Sequence, residues 1–235
     1  MNAGHLTLAY HGCDITVRDR LVKGALAHLT PSANRYDWLG DGVYFFEGDA
    51  ERALNFAQAS QRQASKLYSA RPIVSPAVVG AVLCTSRCWD MTTMTGRREY
   101  QVAFEELRQS QELNGRPMPI NRPADGEDES ILLRGLDCAT FNMGHRIRAR
   151  DGLPAHQLVR AAFYQGRPVV DSSEFRSGTH LQLALVDPEC LIGWFLPREL
   201  GSGLLSEQEL QEADAAMARA IRARTANKPR VRASP

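Results

Sequence analysis

The chain has 235 residues, 43% hydrophobic and 23% charged, with 28 basic residues against 27 acidic. That length buries a full core as one large domain with room for a tail, and the overall charge balance gives no argument for nucleic acid or for membrane. No run approaches the roughly 18 apolar residues of a membrane span and no basic-then-apolar leader opens the chain, so a cytoplasmic protein without a membrane partner is expected.

Leu6 to Gly12 (LTLAYHG) alternates Leu6, Leu8 and Tyr10 against Thr7, Ala9 and His11, which predicts a half-buried strand with His11 opposite the leucines. Thr16 and Asp19 form a capping-box-like start, and Val17, Leu21, Val22, Leu26 and Leu29 follow at helical spacing, predicting a helix that Thr30-Pro31-Ser32 ends. Ser32 to Gly40 reads as a loop that leads into a strand around Tyr44. A second helix is predicted from Asp49 through Ala53, Leu54, Ala57, Ala64 and Leu67, packed behind that strand.

Val78 to Cys84 is apolar on both faces, the pattern of a buried strand. From Thr92 to Ser130 the apolar content falls. A polar helix around Glu99 to Leu113 precedes a proline-rich, acidic loop, so 92–130 reads as an insertion or mobile segment. Ile131 to Arg148 returns to helical spacing. Leu181 to Val186 and Leu191 to Leu196 read as strands either side of the turn Asp187-Pro188-Glu189, the first of them extending back to Thr179. Leu210, Ala213, Met217 and Ile221 predict a last amphipathic helix before a tail carrying Arg219, Arg222, Arg224, Lys228, Arg230 and Arg232. The domain organisation expected is a catalytic unit over 1–200 and a C-terminal helix with basic tail over 201–235.

Five cysteines, odd in number and mostly inside apolar runs, favour reduced thiols. Cys84 and Cys88 lack a second ligand pair at metal spacing, so no metal is expected. The chain has no GxGxxG or GxxxxGK[ST] loop, no HExxH and no GxSxG. What stands out is Tyr10-His11-Gly12, followed by YDWLGDGVYFFE from Tyr36 to Glu47. Gly40 and Gly42 flank an acidic residue directly before an aromatic strand, letting the backbone pass close to a ligand where a ring is presented.

These residues resemble the His and Tyr motifs of the ADP-ribosyltransferase superfamily. The string SANRYDWLGDGVYFFE, then DAERALNFA, VVGAV, LDCA and THLQLALVDPECLIGWF, is similar to a bacterial branch of it across roughly residues 8 to 197. Phe46 stands where branch members usually have Trp. The resemblance implies an α+β fold, a split and mainly antiparallel sheet with peripheral helices, its cleft formed by the strands that carry His11, Tyr44 and Gln182. It implies NAD as co-substrate. His11 would hydrogen-bond a ribose hydroxyl, the Gly12 backbone would hold the nicotinamide amide, and Tyr44 would stack on the nicotinamide ring. Ser32, Asn34 and Trp38 would contact the adenosine side or the acceptor.

At the third motif position the superfamily usually has Glu, and here the strand offers Gln182. Glutamine can hold a ribose hydroxyl but cannot take a proton near neutral pH, so Glu174 and Glu47 are the candidate carboxylates for that work. The reaction implied is loss of nicotinamide through an oxocarbenium-like transition state, then transfer of ADP-ribose. The basic tail, with Arg134, Arg146, Arg148, Arg150 and Arg160, favours a nucleic acid acceptor, RNA, slightly over protein. Bacterial members of the branch look like toxin or phage-defence components, which implies an antitoxin or immunity protein as partner. Three alternatives stand beside this reading. They are an NAD glycohydrolase, the RNA 2′-phosphotransferase branch, for which no basic residues flank His11 or Tyr44, and a non-catalytic module that binds NAD or a partner.

Overall fold

Alternation of apolar and polar side chains along the first strand feeds directly into a sheet whose two faces have different coverings. In the computed structural model, which describes residues 4–63, 72–123 and 131–197 and a few positions between 211 and 222, the elements run in this order: β1 His5–Asp14, α1 Ile15–Val22, β2 Val43–Glu47, α2 Ala50–Arg62, β3 Pro76–Thr85, β4 Cys88–Asp90, α3 Met94–Leu113, β5 Asn121–Arg122, β6 Leu133–Arg134, α4 Gly135–Arg150, β7 Leu158–Phe163, β8 His180–Leu185 and β9 Leu191–Phe195. Among the described residues they make a mixed α/β unit with a seven-stranded sheet in the order β4-β7-β8-β2-β1-β3-β9. All pairings in it are antiparallel except β4 with β7. The chain divides into two units, Met1–Leu196 and Pro197–Pro235. In the second, Gln211, Glu212, Ala215, Ala216, Ala218, Arg219 and Arg222 are helical and exposed, whereas Leu210, Ala213, Met217 and Ile221 and the end of the basic tail lie outside the described residues.

β1 pairs with β3 along its whole length, from His5 opposite Thr85 to Asp14 opposite Pro76. With β2 it shares only Ala9 opposite Glu47 and Tyr10 opposite Phe46. At one end Gly48 N still donates to the Leu8 carbonyl at 3.0 Å, but past Tyr10 the strands part, and the sheet opens between β1 and β2. Cross-strand partners share a face. Tyr10, Phe46, Gln182 and Ala161 therefore form one row, and Tyr44, Ala184 and Val159 the next. On the opposite face Ala9, Val43, Phe45, Leu158, Leu183 and Leu185 pack with Ala81, Leu83 and Cys190 into the central core. Burying a side chain the size of Phe45 contributes about 1.5–3 kcal/mol relative to leaving it exposed.

The Tyr44–Phe46–Gln182 face is covered at its two ends by different helices. α2 lies over Phe46 and Val78 through Ala53, with Tyr10 and Leu54 at its margin. Gly12 is the point of closest approach, since a Cβ there would stand 2.1 Å from the Ala53 carbonyl oxygen. α3 and α4 cover the β7 end through Ala103 and Phe141, which pack with Trp89, Val159, Phe163 and Ala184. A strip of sheet around Gln182 lies between these coverings.

Several sequence expectations need correction. The leucines of β1 are not its buried side, for Leu6 is 72% and Leu8 53% exposed while Ala9 is fully buried. The first helix begins at Asp14, whose carboxylate accepts from the Thr16 amide at 3.0 Å, and it stops at Val22 because Gly24 turns the chain at φ +73°. α2 starts as expected, with Asp49 accepting from Arg52 N, but Ala64 and Leu67 lie outside the described residues. The fourth helix begins at Gly135 rather than Ile131, because Leu133–Arg134 pair with Asn121–Arg122 instead. β7 was not foreseen. Its sequence LVRAAF carries Arg160 in a central strand, and that charge is neutralised across the sheet by Glu47 and Asp90.

Within 92–130 the expected polar helix is present as α3 and packs against the sheet. α3 is capped by Thr93, whose hydroxyl accepts from Gly96 N at 3.0 Å, and the Trp89 indole donates to the Gly96 carbonyl at 3.0 Å. Ala103 and Leu107 are buried, and Trp89 lies across Gly144 of α4. This segment is part of the packing that holds β4 and β7; residues 124–130 lie outside the described residues. All five cysteines are free.

Candidate active site

The loop Ser32 to Gly42 is built from its own polar groups. Ser32 and Gly42 exchange backbone hydrogen bonds at 2.8 and 3.0 Å, closing its base. Within it, the Asn34 amide nitrogen donates to Ser32 Oγ at 2.9 Å, and the Asn34 backbone N–H donates to Asp37 at 2.8 Å. Ser32 and Asn34, expected as ligand contacts, thus spend these groups on the turn. Gly40, at φ +79°, passes against Phe141 and Asn142 of α4. Asn142 exchanges two hydrogen bonds with Asp41, at 3.0 and 2.9 Å.

Tyr44 completes this loop from below. Its hydroxyl accepts from Leu39 N at 2.9 Å and donates to the Gly40 carbonyl at 2.7 Å, while its ring packs at the margin of the Trp89–Phe141 cluster. Burial pushes the phenol well above its ordinary range, so it stays protonated and keeps both bonds. The tyrosine is therefore first a strut that sets the loop over the sheet.

The loop's position fixes Trp38. Its indole donates to the Leu132 carbonyl at 2.7 Å, and its ring lies 4.1 Å from that of Phe163. Arg134 stacks over both rings, 4.5 Å from Trp38 and 4.8 Å from Phe163. His180 lies within the same group, 5.6 Å from Phe163, 5.1 Å from Phe46 and 6.2 Å from Trp38. Arg52 of α2 lies over Phe46 at 5.5 Å and donates to Gln165 at 3.1 Å, with its Nε buried and unpartnered. The result is an aromatic floor with a guanidinium on each side. Gln182 stands on that floor between Phe46 and Ala161, half-buried, and its side-chain amide has no hydrogen-bond partner among the described residues.

His11 is placed differently. It leaves β1 from the Phe45 side, with the two rings 5.8 Å apart, and not from the Gln182 side. Its Nδ1 meets the Tyr44 carbonyl at 2.7 Å across the opening between β1 and β2. A carbonyl only accepts, so Nδ1 carries the proton and Nε2 is left as an acceptor. Burial lowers the His11 pKa against the pull of that bond, which keeps the ring neutral. Gly12 is buried under α2, so its backbone is not open on that face.

The two carboxylate candidates are elsewhere. Glu47 forms a two-point pair with Arg160, at 2.6 and 3.3 Å, on the face opposite Gln182. Glu174 is exposed in the β7–β8 loop, where it accepts from the Tyr164 hydroxyl at 3.0 Å. Neither is brought onto the aromatic floor by a contact to it. Of the five arginines expected to give basic surface, Arg148 and Arg150 pair with Glu99 and Glu106, Arg160 with Glu47 and Asp90, and Arg134 with Asp137.

Sequence reading missed Arg52, Phe163 and His180 as site residues. His180 was legible in principle, because it is two residues before Gln182 on a period-two strand and so shares its face.

No protein-family model, no curated protein and no solved structure matches the chain. Among the described residues no group of three or more His, Cys, Asp or Glu is arranged to hold a metal ion, and no helix is long and apolar enough to cross a membrane.

Proposed function

We propose that this chain is an NAD-dependent mono-ADP-ribosyltransferase, which releases nicotinamide and joins ADP-ribose to a macromolecule. The observation that carries the proposal is the adjacency β8-β2-β1, which sets the Gln182, Tyr44 and His11 strands side by side where the β1–β2 pairing stops. The chemistry of the groups there fits such a ligand. Flat rings find the faces of Trp38, Phe46 and Phe163, ribose hydroxyls find the Gln182 amide, and a pyrophosphate finds Arg52 and Arg134, while His11 stands on the other side of the opening with its Nε2 as acceptor.

Leaving of nicotinamide builds positive charge on the ribose. The Gln182 carbonyl oxygen, without a competing partner among the described residues, stabilises that charge more than it stabilises the ground state. The acceptor is a nucleic acid ahead of protein on the strength of the basic tail, since four of the five other arginines are paired within the fold. The resemblance to bacterial toxin and phage-defence members brings with it a neutralising partner protein.

Nicotinamide release from NAD, followed by chromatography, tests this reading. Gln182→Ala is expected to lower the rate by about 10²–10³, the usual effect of removing one transition-state hydrogen bond. Saturable NAD binding with no release by the wild type would instead leave a binding module.

A further inference from the structure

Among the described residues neither Glu47 nor Glu174 contacts the aromatic floor, and Asp49, which faces it, caps α2 through Arg52 N, yet the floor does hold a group able to take a proton. His180 is 7% exposed, enclosed by Trp38, Phe46 and Phe163. Its Nδ1 meets the Gly178 carbonyl at 2.7 Å, which fixes the proton on Nδ1 and leaves the Nε2 lone pair uncommitted. Nε2 has no partner among the described residues, and it is absent from the polar atoms that are both unpartnered and sealed from solvent. β8 carries it one strand repeat from Gln182, so the two side chains rise from the same face about 6.6–7 Å apart.

Resting on the proposed NAD chemistry, we infer that His180 Nε2 is the general base of the transfer step and that the acceptor is a hydroxyl, a group that must lose a proton as it attacks. The bond from ribose C1′ to the nicotinamide nitrogen breaks, its electron pair neutralising the pyridinium as nicotinamide leaves. The acceptor oxygen bonds to C1′. Its proton passes to Nε2, giving an imidazolium that returns the proton to water. Gln182 holds the ribose and His180 takes the proton, two tasks that a single carboxylate would otherwise combine.

The charged groups around the ring set when this base is available. Arg52 and Asp49 face it from the start of α2, and Arg134 from the chain before α4; burial and the two arginines lower its pKa below 6.5, while the Gly178 bond and Asp49 raise it. His180 is therefore neutral and active at pH 7, and its contribution is lost as pH falls through a value below 6.5.

The test uses the full chain with NAD and single-stranded RNA as acceptor, counting free ADP-ribose as the water product, from pH 5 to 8. His180→Gln is expected to bind NAD as the wild type does, to lose about 10²–10⁴ in product formation, and to lose the acid limb of the profile. In His180→Gln with Gln182→Glu, a carboxylate one strand repeat away is expected to restore product formation with an acid limb moved toward the ordinary carboxylate range. A His180→Gln chain with wild-type rate and unchanged pH profile overturns the assignment of the base. A wild type that neither binds nor cleaves NAD overturns the underlying reading as well, and is told apart by that signature.

Discussion

Tyr44 shows how one side chain can look like a ligand contact and be occupied by its own fold. In the sequence it is an aromatic on a strand after a glycine pair, and the resemblance gives it a ring-stacking role. In the structure its hydroxyl closes the loop that carries Trp38, through Leu39 N and the Gly40 carbonyl. Tyr44→Phe keeps the ring and removes only the hydroxyl. Leaving those two groups without a partner costs about 1–3 kcal/mol, so the urea unfolding midpoint is expected to fall, and the KM for NAD to rise as Trp38 loosens, with kcat less affected. An unchanged midpoint would remove the strut role. Gln182, by contrast, has a side chain on the floor with no hydrogen-bond partner among the described residues.

At the scale of elements, the strands carrying motifs were legible because a period of two survives where one face is buried. β2, β3, β8 and β9 fall close to their predicted ranges. The failures have physical causes. α1 ends early because glycine at φ +73° stops it, although apolar spacing continues to Leu29. β7 escaped because a charged residue sits in a central strand, an arrangement stable only through the Glu47–Arg160–Asp90 pairing that no local pattern reveals. α3 was legible as a helix but not as part of the packing, because its mean polarity is high and its buried stripe of Gly96, Ala103 and Leu107 is narrow. Amide hydrogen exchange checks this directly. The central amides of α3 are expected to exchange as slowly as those of α4, by global rather than local opening. Exchange within seconds across 98–110 would restore the picture of a mobile insertion.

For the whole molecule, topology converts three distant sequence motifs into neighbours. Residues 11, 44 and 182 lie on strands adjacent in the sheet, and the pairing of β1 with β2 stops after two residue pairs. The sequence motifs announced that neighbourhood, but not its sidedness: strand alternation sends His11 to the Phe45 side and Gln182 to the Trp38 side. Nor did they announce the floor of Trp38, Phe163 and His180, assembled from an early loop and the two consecutive strands β7 and β8 much later in the chain. The most direct measurement incubates the full chain with NAD radiolabelled in its adenylate phosphate, together with total RNA or cell lysate protein, and follows label and nicotinamide together. The wild type is expected to release nicotinamide and to label macromolecules in equal amount, RNA ahead of protein, and Gln182→Ala to do neither at a comparable rate. Unlabelled macromolecules with intact NAD would contradict the account.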